Sequence, residues 1–561
     1  MNKVSICTLA PQGPLVAEVV ELLRRGIRER AGIVAVCAGE SAADIVLDIR
    51  GGIGAEGFRV EGEPGQPVRI TGNDERGLLY GVGRFLRDSR IKAGDFVPGT
   101  WRGISVPVKP VRGIYFATHF HNWYHVAPLE DVIRYVEELA LWGCNALVVW
   151  FDMAIYSGVG DPAAQKMIQR LHAILAAAQR VGIRPGLLCL ANEGFSTTPA
   201  PLRATNVVQN GYFAEPCGFY GVEVCPNEPG GMELILQRRT EVLDAFAGIQ
   251  FEYFVIWPYD QGGCTCAKCA PWGSKGYLKT AEEVARLARA RFPVAKIVLS
   301  TWYFDRFIKG EWDELQAAFA THKPAWVDYL MMDGYGSFPE YPLKHGVPGG
   351  FPALNFAEIS MATMFPWGGY GANPLPRRQQ SDYRKTKHLI GGGFPYSEGI
   401  YEDINKVLQL QLGWAPDREA DDIVREYAAA HFDPDQAGEF VEVVGLMDEL
   451  AGLGMKDTPE GLRFAHWNPP AKAEACFELV NRIDGKLPVA VRQSWRWRIV
   501  WLRAAIDAEL KRTDGKPSDQ VAAYFDELTE IYHAHNAVGA CQPPQLKAGA
   551  KHEINAAVQA G

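Results

Sequence analysis

FEYFVIWPYDQGG (residues 251–263) joins a continuous apolar run to a proline, an aromatic ring, an acid and a glycine turn. The run does not alternate with polar residues, which is the pattern of a strand covered on both faces, as in a parallel sheet packed between helices. The same ending recurs along the chain. LLCLANEGF reaches Glu193, IVLSTWYFD stops at Asp305, YLMMDGYG holds Asp333 and LIGGGFPYSEG holds Glu398, while MATMFPWGGYG carries Trp367 and Tyr370 without an acid. Acids alone would be ordinary surface. Acids with aromatic rings at the same end of successive strands describe a barrel mouth that handles sugar-like rings.

Outward from that stretch, strand and helix patterns alternate between residues 112 and 398. RGIYF is a strand; EDVIRYVEELALWG is an amphipathic helix with Val132, Tyr135, Val136 and Leu139 inward and Gly143 as its stop. NALVVWF is the next strand, and Pro162 opens a helix through Ile168, Leu171, Ile174 and Leu175. Strands follow around Leu187, at FEYFVIW, KIVLSTW and VDYLMM, then in the 354–364 region and at HLIGGGF. Eight β–α units predict a (β/α)₈ TIM barrel over 109–415, the seventh unit having the weakest pattern. Residues 1–108 predict a small α/β domain: FRVEG and PVRITG form a strand pair, Asn73 or Asp74 caps a helix, and Leu78, Leu79, Val82, Phe85 and Leu86 form its apolar stripe. Pro107 and Pro110 mark the linker. Residues 416–561 read as a helical C-terminal domain, with helix-length segments at 418–432, 439–453, 490–510 and 521–535. The fold class is α/β.

The 561 residues are 47% hydrophobic and 22% charged, with net charge −9. No basic stripe suggests nucleic acid, and no run of eighteen apolar residues suggests a membrane span. The start of the chain lacks the pattern of a secretory signal, so a cytoplasmic protein is expected. The expected partners are a carbohydrate and a second copy of the chain in a homodimer. Cys7, Cys37, Cys144, Cys189 and Cys476 stand in apolar surroundings and read as reduced core residues.

Glycoside hydrolysis needs two carboxyl groups flanking the scissile bond, one to protonate the leaving oxygen and one to attack or to activate water. Asp260, Glu398 and Glu193 are the candidate catalytic acids. Trp257, Tyr259, Trp302, Tyr303, Asp333, Tyr335, Glu358, Trp367, His119 and His121 are the candidate substrate contacts. Asp403, beyond Glu398, reads as a cap or a supporting partner rather than a catalyst. Cys264, Cys266 and Cys269 sit within six residues, and Cys225 in the preceding loop, with Cys217 as its substitute, would complete four thiols, the donor set of a structural zinc site. No organic cofactor is expected. Two alternatives stand beside the hydrolase: a glycan-binding barrel without turnover, and a metal-dependent hydrolase using His119 and His121.

ITGNDERGLLYGVGRFL (residues 70–86) resembles the α/β domain preceding the barrel in β-hexosaminidases, O-GlcNAcases and α-glucuronidases. The domain order is similar to that of bacterial α-glucuronidases and O-GlcNAcases. VIWPYDQGGCTCAKC (residues 255–269) is similar to a loop in uncharacterised barrel proteins related to endo-acting N-acetylglucosaminidases. The resemblance implies a glycosidase acting on a uronic acid or N-acetylhexosamine. In hexosaminidases an acidic pair follows strand four; here Asp260 matches one member, and Tyr259 and Gln261 stand where the second acid would be.

Overall fold

The computed structural model describes residues 3–63, 65–119, 122–204, 222–258, 263–302, 304–305, 309–332, 338–360, 372–450, 455–458, 461–464, 472–514 and 518–533. Its centre is a closed ring of parallel strands: β1 (Val111–Phe116), β2 (Ala146–Trp150), β3 (Arg184–Leu190), β4 (Tyr253–Trp257), β5 (Lys296–Ser300), β6 (Tyr329–Met332), β7 (Ala353–Asn355) and β8 (Ile390–Gly393). Each pairs with the next, and β8 pairs back to β1. The expected TIM barrel is present.

Successive strand side chains point to opposite faces. Val148 and Trp150, Leu188 and Leu190, Val255 and Trp257 belong to one buried cluster, which fills the barrel. Their alternates Leu147 and Val149, Leu187 and Cys189, Phe254 and Ile256 join the larger cluster under the helices. Burial on both faces is why these strands read as unbroken apolar runs. The weak seventh unit is weak for a physical reason: β7 has three residues and an irregular register against β8. Two glycines of β8, Gly392 and Gly393, are required by close approach. A side chain at Gly392, whose φ is +121°, would lie 1.7 Å from the Val111 carbonyl oxygen.

Before the barrel lies a six-stranded sheet in the order Ala35–Cys37, Val4–Thr8, Ile45–Ile49, Val68–Gly72, Phe58–Glu61, Gly103–Ser105. The helix Glu75–Asp88 packs on it, capped by Asp74 as expected. Gly83 in that helix lies against Leu141, where an added Cβ would come within 2.1 Å of the carbonyl oxygen, so the helix backbone presses directly on the barrel's first helix. The fully buried Arg112 guanidinium joins the two parts through Glu56 at 2.6 Å. Cys7, Cys144, Cys189 and Cys476 are buried thiols, but Cys37 is exposed: it closes the outer edge strand, with Arg24 Nη2 2.6 Å from its sulfur.

After the barrel come helices Ala420–His431, Ala437–Leu450, Ala473–Asp484, Trp495–Arg512 and Asp519–Tyr532. The helix Ala473–Asp484 and the short hairpin Met455–Thr458/Gly461–Phe464 go beyond the expected elements. No helix among the described residues is long and apolar enough to cross a membrane.

Candidate active site

The C-terminal strand ends carry an aromatic well. Trp257, at the end of β4, lies 4.9 Å from Phe356 beyond β7 and 5.2 Å from Trp302 beyond β5, measured between ring centroids. Phe356 lies 5.9 Å from Tyr396, and Tyr396 lies 5.9 Å from Tyr115 of β1. His119 is 4.6 Å from Trp150 of β2, and its Nδ1 is hydrogen-bonded to the Tyr115 hydroxyl at 2.7 Å. Burial holds the His119 imidazole well below its ordinary pKa, and His125 adds to the effect, so the ring is neutral. Trp257 is 4% exposed and Trp302 8%. The described rings therefore form the floor of the mouth, held together mainly by their own packing. The Trp257 Nε1 is buried without a hydrogen-bond partner among the described residues.

Glu398 stands at the lip of this well, just past the two-residue extension Tyr396–Ser397 that pairs with β1. The Tyr396 hydroxyl donates to Glu398 Oε1 at 2.7 Å. Burial pushes the Glu398 carboxyl up to about 8, against the hydrogen bond from Tyr396 and with the charges of Glu358 and Glu402 adding to the rise. Glu358 bridges to Tyr396 and accepts the Ser360 N–H at 2.7 Å. The turn carrying Glu398 is clamped from below. Glu402 Oε1 accepts the backbone N–H groups of Glu398 and Gly399 and the Ser397 hydroxyl, at 2.7, 2.8 and 2.6 Å. The buried Lys406 donates to Ser397 Oγ at 2.8 Å and to the Gly399 carbonyl.

Glu193, after β3, is a second buried carboxyl beside the well. Its Oε1 accepts the Trp150 indole N–H at 3.2 Å and the Met153 N–H at 2.7 Å, and Arg239 lies 3.4 Å from Oε2. Burial raises its pKa, opposed first by Arg239. Its neighbour is Asp152, after β2, which is held well above the carboxylate range by burial and then by the Glu193 charge. Asp152 Oδ1 accepts the Ala154 N–H, and its side chain is hydrogen-bonded to Glu193. Two buried carboxyls side by side share a proton rather than ionise together. Asp152 is absent from the sequence-based candidates, although VVWFD ends its strand with the same apolar–aromatic–acid pattern.

Asp305 is a helix cap: its Oδ1 accepts the N–H of Glu311 at 2.7 Å, at the start of helix Glu311–Thr321. Asp403 is an anchor, as expected: it accepts the hydroxyls of Tyr135 and Tyr427 and the Arg496 guanidinium, and although burial is the largest single influence and pushes it up, Arg496, His431, Lys406 and the Tyr135 hydrogen bond together lower it to about 2. Asp260, Tyr259, Tyr303, Asp333, Tyr335, Trp367 and His121 lie outside the described residues.

The sulfurs of Cys225, Cys264, Cys266 and Cys269 all lie within 4.8 Å of one another, the geometry of a metal-holding group. Cys225 follows β3 in the chain and the other three follow β4.

No protein-family model matches the chain, and no curated protein matches it. Solved structures do. A family GH115 4-O-methyl-α-glucuronidase with specificity for decorated arabinogalactans is similar over 97% of this chain and 77% of its own, at 13% identity and a TM-score of 0.62. A family 89 glycoside hydrolase from Clostridium perfringens, in complex with 2-acetamido-1,2-dideoxynojirmycin, is similar over 92% of this chain and 65% of its own, at 12% identity and a TM-score of 0.59. A β-N-acetylhexosaminidase from Bacteroides fragilis NCTC 9343 is similar over 74% and 86%, at 12% identity and a TM-score of 0.51. At these identities the likeness is one of fold: the chain has the barrel architecture of these glycoside hydrolases.

Proposed function

We propose that the chain is a glycoside hydrolase whose proton donor is Glu398. One observation carries this reading: a carboxyl held at about 8 stands on the rim of an aromatic well, at the catalytic end of a barrel. Such a group is protonated at neutral pH and ready to protonate a departing glycosidic oxygen. The second carboxylate is assigned to Asp260, on the loop after β4. Glu358, whose charge Glu398 already feels, is the substitute. Glu193 is assigned a supporting part, because Trp150, Met153 and Arg239 occupy its oxygens. Trp302 and Tyr396, with Tyr259, Tyr303, Asp333, Tyr335 and Trp367, would line the subsite: rings take the apolar faces of a sugar and polar groups its hydroxyls. The substrate class is an oligosaccharide or glycoside, with uronic-acid and N-acetylhexosamine glycosides the first to try on the strength of the fold relatives. The chemistry uses no organic cofactor, and the four clustered cysteines are assigned a structural zinc ion.

The neutral, Tyr115-bound His119 does not favour the metal-dependent alternative; among the described residues the cysteine cluster is the metal-capable group. The test is a panel of aryl glycosides and oligosaccharides assayed with wild type, Glu398→Gln and Asp260→Asn. Turnover by wild type, cut by about 10²–10⁴ in each variant, supports the assignment. Sugar binding without turnover on any member would transfer the reading to a glycan-binding barrel.

A further inference from the structure

The cysteine cluster has the dimensions of a metal site rather than of a reduced core. Zinc–sulfur bonds of about 2.3 Å put the edges of a tetrahedral sulfur cage at about 3.8 Å. Cys225 Sγ lies 3.8 Å from both Cys266 Sγ and Cys269 Sγ. Disulfide sulfurs would be about 2.05 Å apart. Four thiolates around a divalent ion leave a net negative charge, and the surroundings supply donors for it. The Asn227 amide donates to Cys269 Sγ at 3.1 Å, and Lys279 binds the other end of that amide at 2.6 Å. The backbone N–H groups of Lys268 and Cys269 hydrogen-bond to Cys266 Sγ.

What the ion would join follows from the backbone on either side. Cys225 is tied to the end of β3: the Val224 N–H donates to the Asn192 carbonyl at 2.8 Å, and the Asn192 amide donates back to the Val224 carbonyl at 3.1 Å. Asn192 immediately precedes Glu193. The other three cysteines are tied to the end of β4. The Gly276 N–H donates to the Cys269 carbonyl at 3.1 Å, and Trp272, buried between Gly263 and Gly276, donates its indole N–H to the Pro258 carbonyl at 2.6 Å. Pro258 immediately follows Trp257.

We propose that Cys225, Cys264, Cys266 and Cys269 bind one zinc ion that cross-braces the ends of β3 and β4, and so holds Glu193 and Trp257 in register beside the well. The ion is closed by four protein sulfurs and takes no part in chemistry. Metal binding releases the thiol protons and removes conformational freedom from the two loops, adding to the Ala191 N–H to Trp257 carbonyl hydrogen bond of 3.0 Å that already joins the strand ends. The effect on turnover rests on the glycosidase reading; the metal and the brace do not.

The experiment separates these two. Zinc content of the full chain is measured by mass spectrometry, thiols are titrated under denaturing conditions, and hydrogen exchange is followed with and without a zinc chelator. About one zinc per chain is expected in wild type and in the control Cys476→Ser, with loss in Cys225→Ser and Cys269→Ser. Chelation of wild type should speed exchange by about tenfold or more in peptides covering 186–195 and 253–258, with residues 4–49 unchanged. This readout needs neither a folded variant nor a known substrate. Absence of zinc after refolding in its presence, disulfides among the four cysteines, or unchanged exchange at both strand ends would overturn the brace. Zinc and altered exchange in a protein without turnover would leave the brace standing and remove the glycosidase reading.

Discussion

The Tyr532 hydroxyl, in the last described helix, donates a 2.7 Å hydrogen bond to the backbone carbonyl of Glu398. Tyr401 stacks on the same ring at 4.7 Å, and its own hydroxyl reaches the Leu528 carbonyl at 3.1 Å. The C-terminal helices thus hold the turn that carries the candidate acid. Tyr532→Phe should cost about 0.5–1.5 kcal/mol of stability and lower kcat more than it raises KM, because the acid loses position rather than the sugar its contacts. Thermal melts and steady-state kinetics on one variant check both parts; unchanged kcat with a lowered Tm would reduce the contact to packing.

The elevated Glu398 carboxyl fixes the direction of the pH profile. A general acid works while it keeps its proton, so kcat/KM should decline as pH rises through about 8. Tyr396→Phe removes the hydrogen bond that favours the ionised form and should move that decline to higher pH. Glu358→Gln removes a nearby negative charge and should move it to lower pH. Profiles of the two variants displaced in the same direction would contradict the assignment.

Much of the fold is legible in the residues, and the reasons can be named. Strands such as ALVVW and YFVIW bury both faces, so composition alone identifies them. The cysteine cluster is legible because three of its members are local and the fourth lies in the neighbouring loop. Asp152 is not legible although its strand ends like the others, because VVWFD runs on without the glycine that follows Glu193 and Glu398. Asp305 shares the surface pattern of a catalytic acid, yet its carboxylate goes to the backbone of the next helix, and which of these an acid does depends on where that helix begins. The Tyr532–Glu398 bond joins residues 134 apart and leaves no local trace in sequence.

The clamp under Glu398 yields a sharper test of positioning. Lys406 is fully buried, with burial lowering its pKa and Glu402 and Asp403 opposing that shift. Lys406→Met leaves Glu402 buried without its cation, a change that costs about 3–5 kcal/mol. Restoring neutrality with the double change Lys406→Met/Glu402→Gln should recover part of the stability. It should not recover the rate, because Gln offers one oxygen where Glu402 Oε1 now receives both backbone N–H groups of the turn and the Ser397 hydroxyl as a charged acceptor. Denaturant titrations and kcat on the single and double variants measure the two effects separately.

The Asp152–Glu193 pair predicts how stability depends on pH. Asp152 is protonated in the folded protein well above the pH at which it ionises in the unfolded chain, near about 3.9. Between those two values the folded state binds the extra proton. Stability is therefore fully present at low pH and falls as pH rises, by about 1.4 kcal/mol per pH unit for one proton, until the folded pKa is passed. Asp152→Asn keeps the shape, supplies an N–H toward Glu193 and has no proton to lose. Wild type should thus lose Tm more steeply than Asp152→Asn as pH rises above the unfolded value, and the variant should be the more stable of the two at the alkaline end. Parallel Tm profiles for the two proteins would mean that Asp152 is already ionised in the fold and that the two carboxyls do not share a proton.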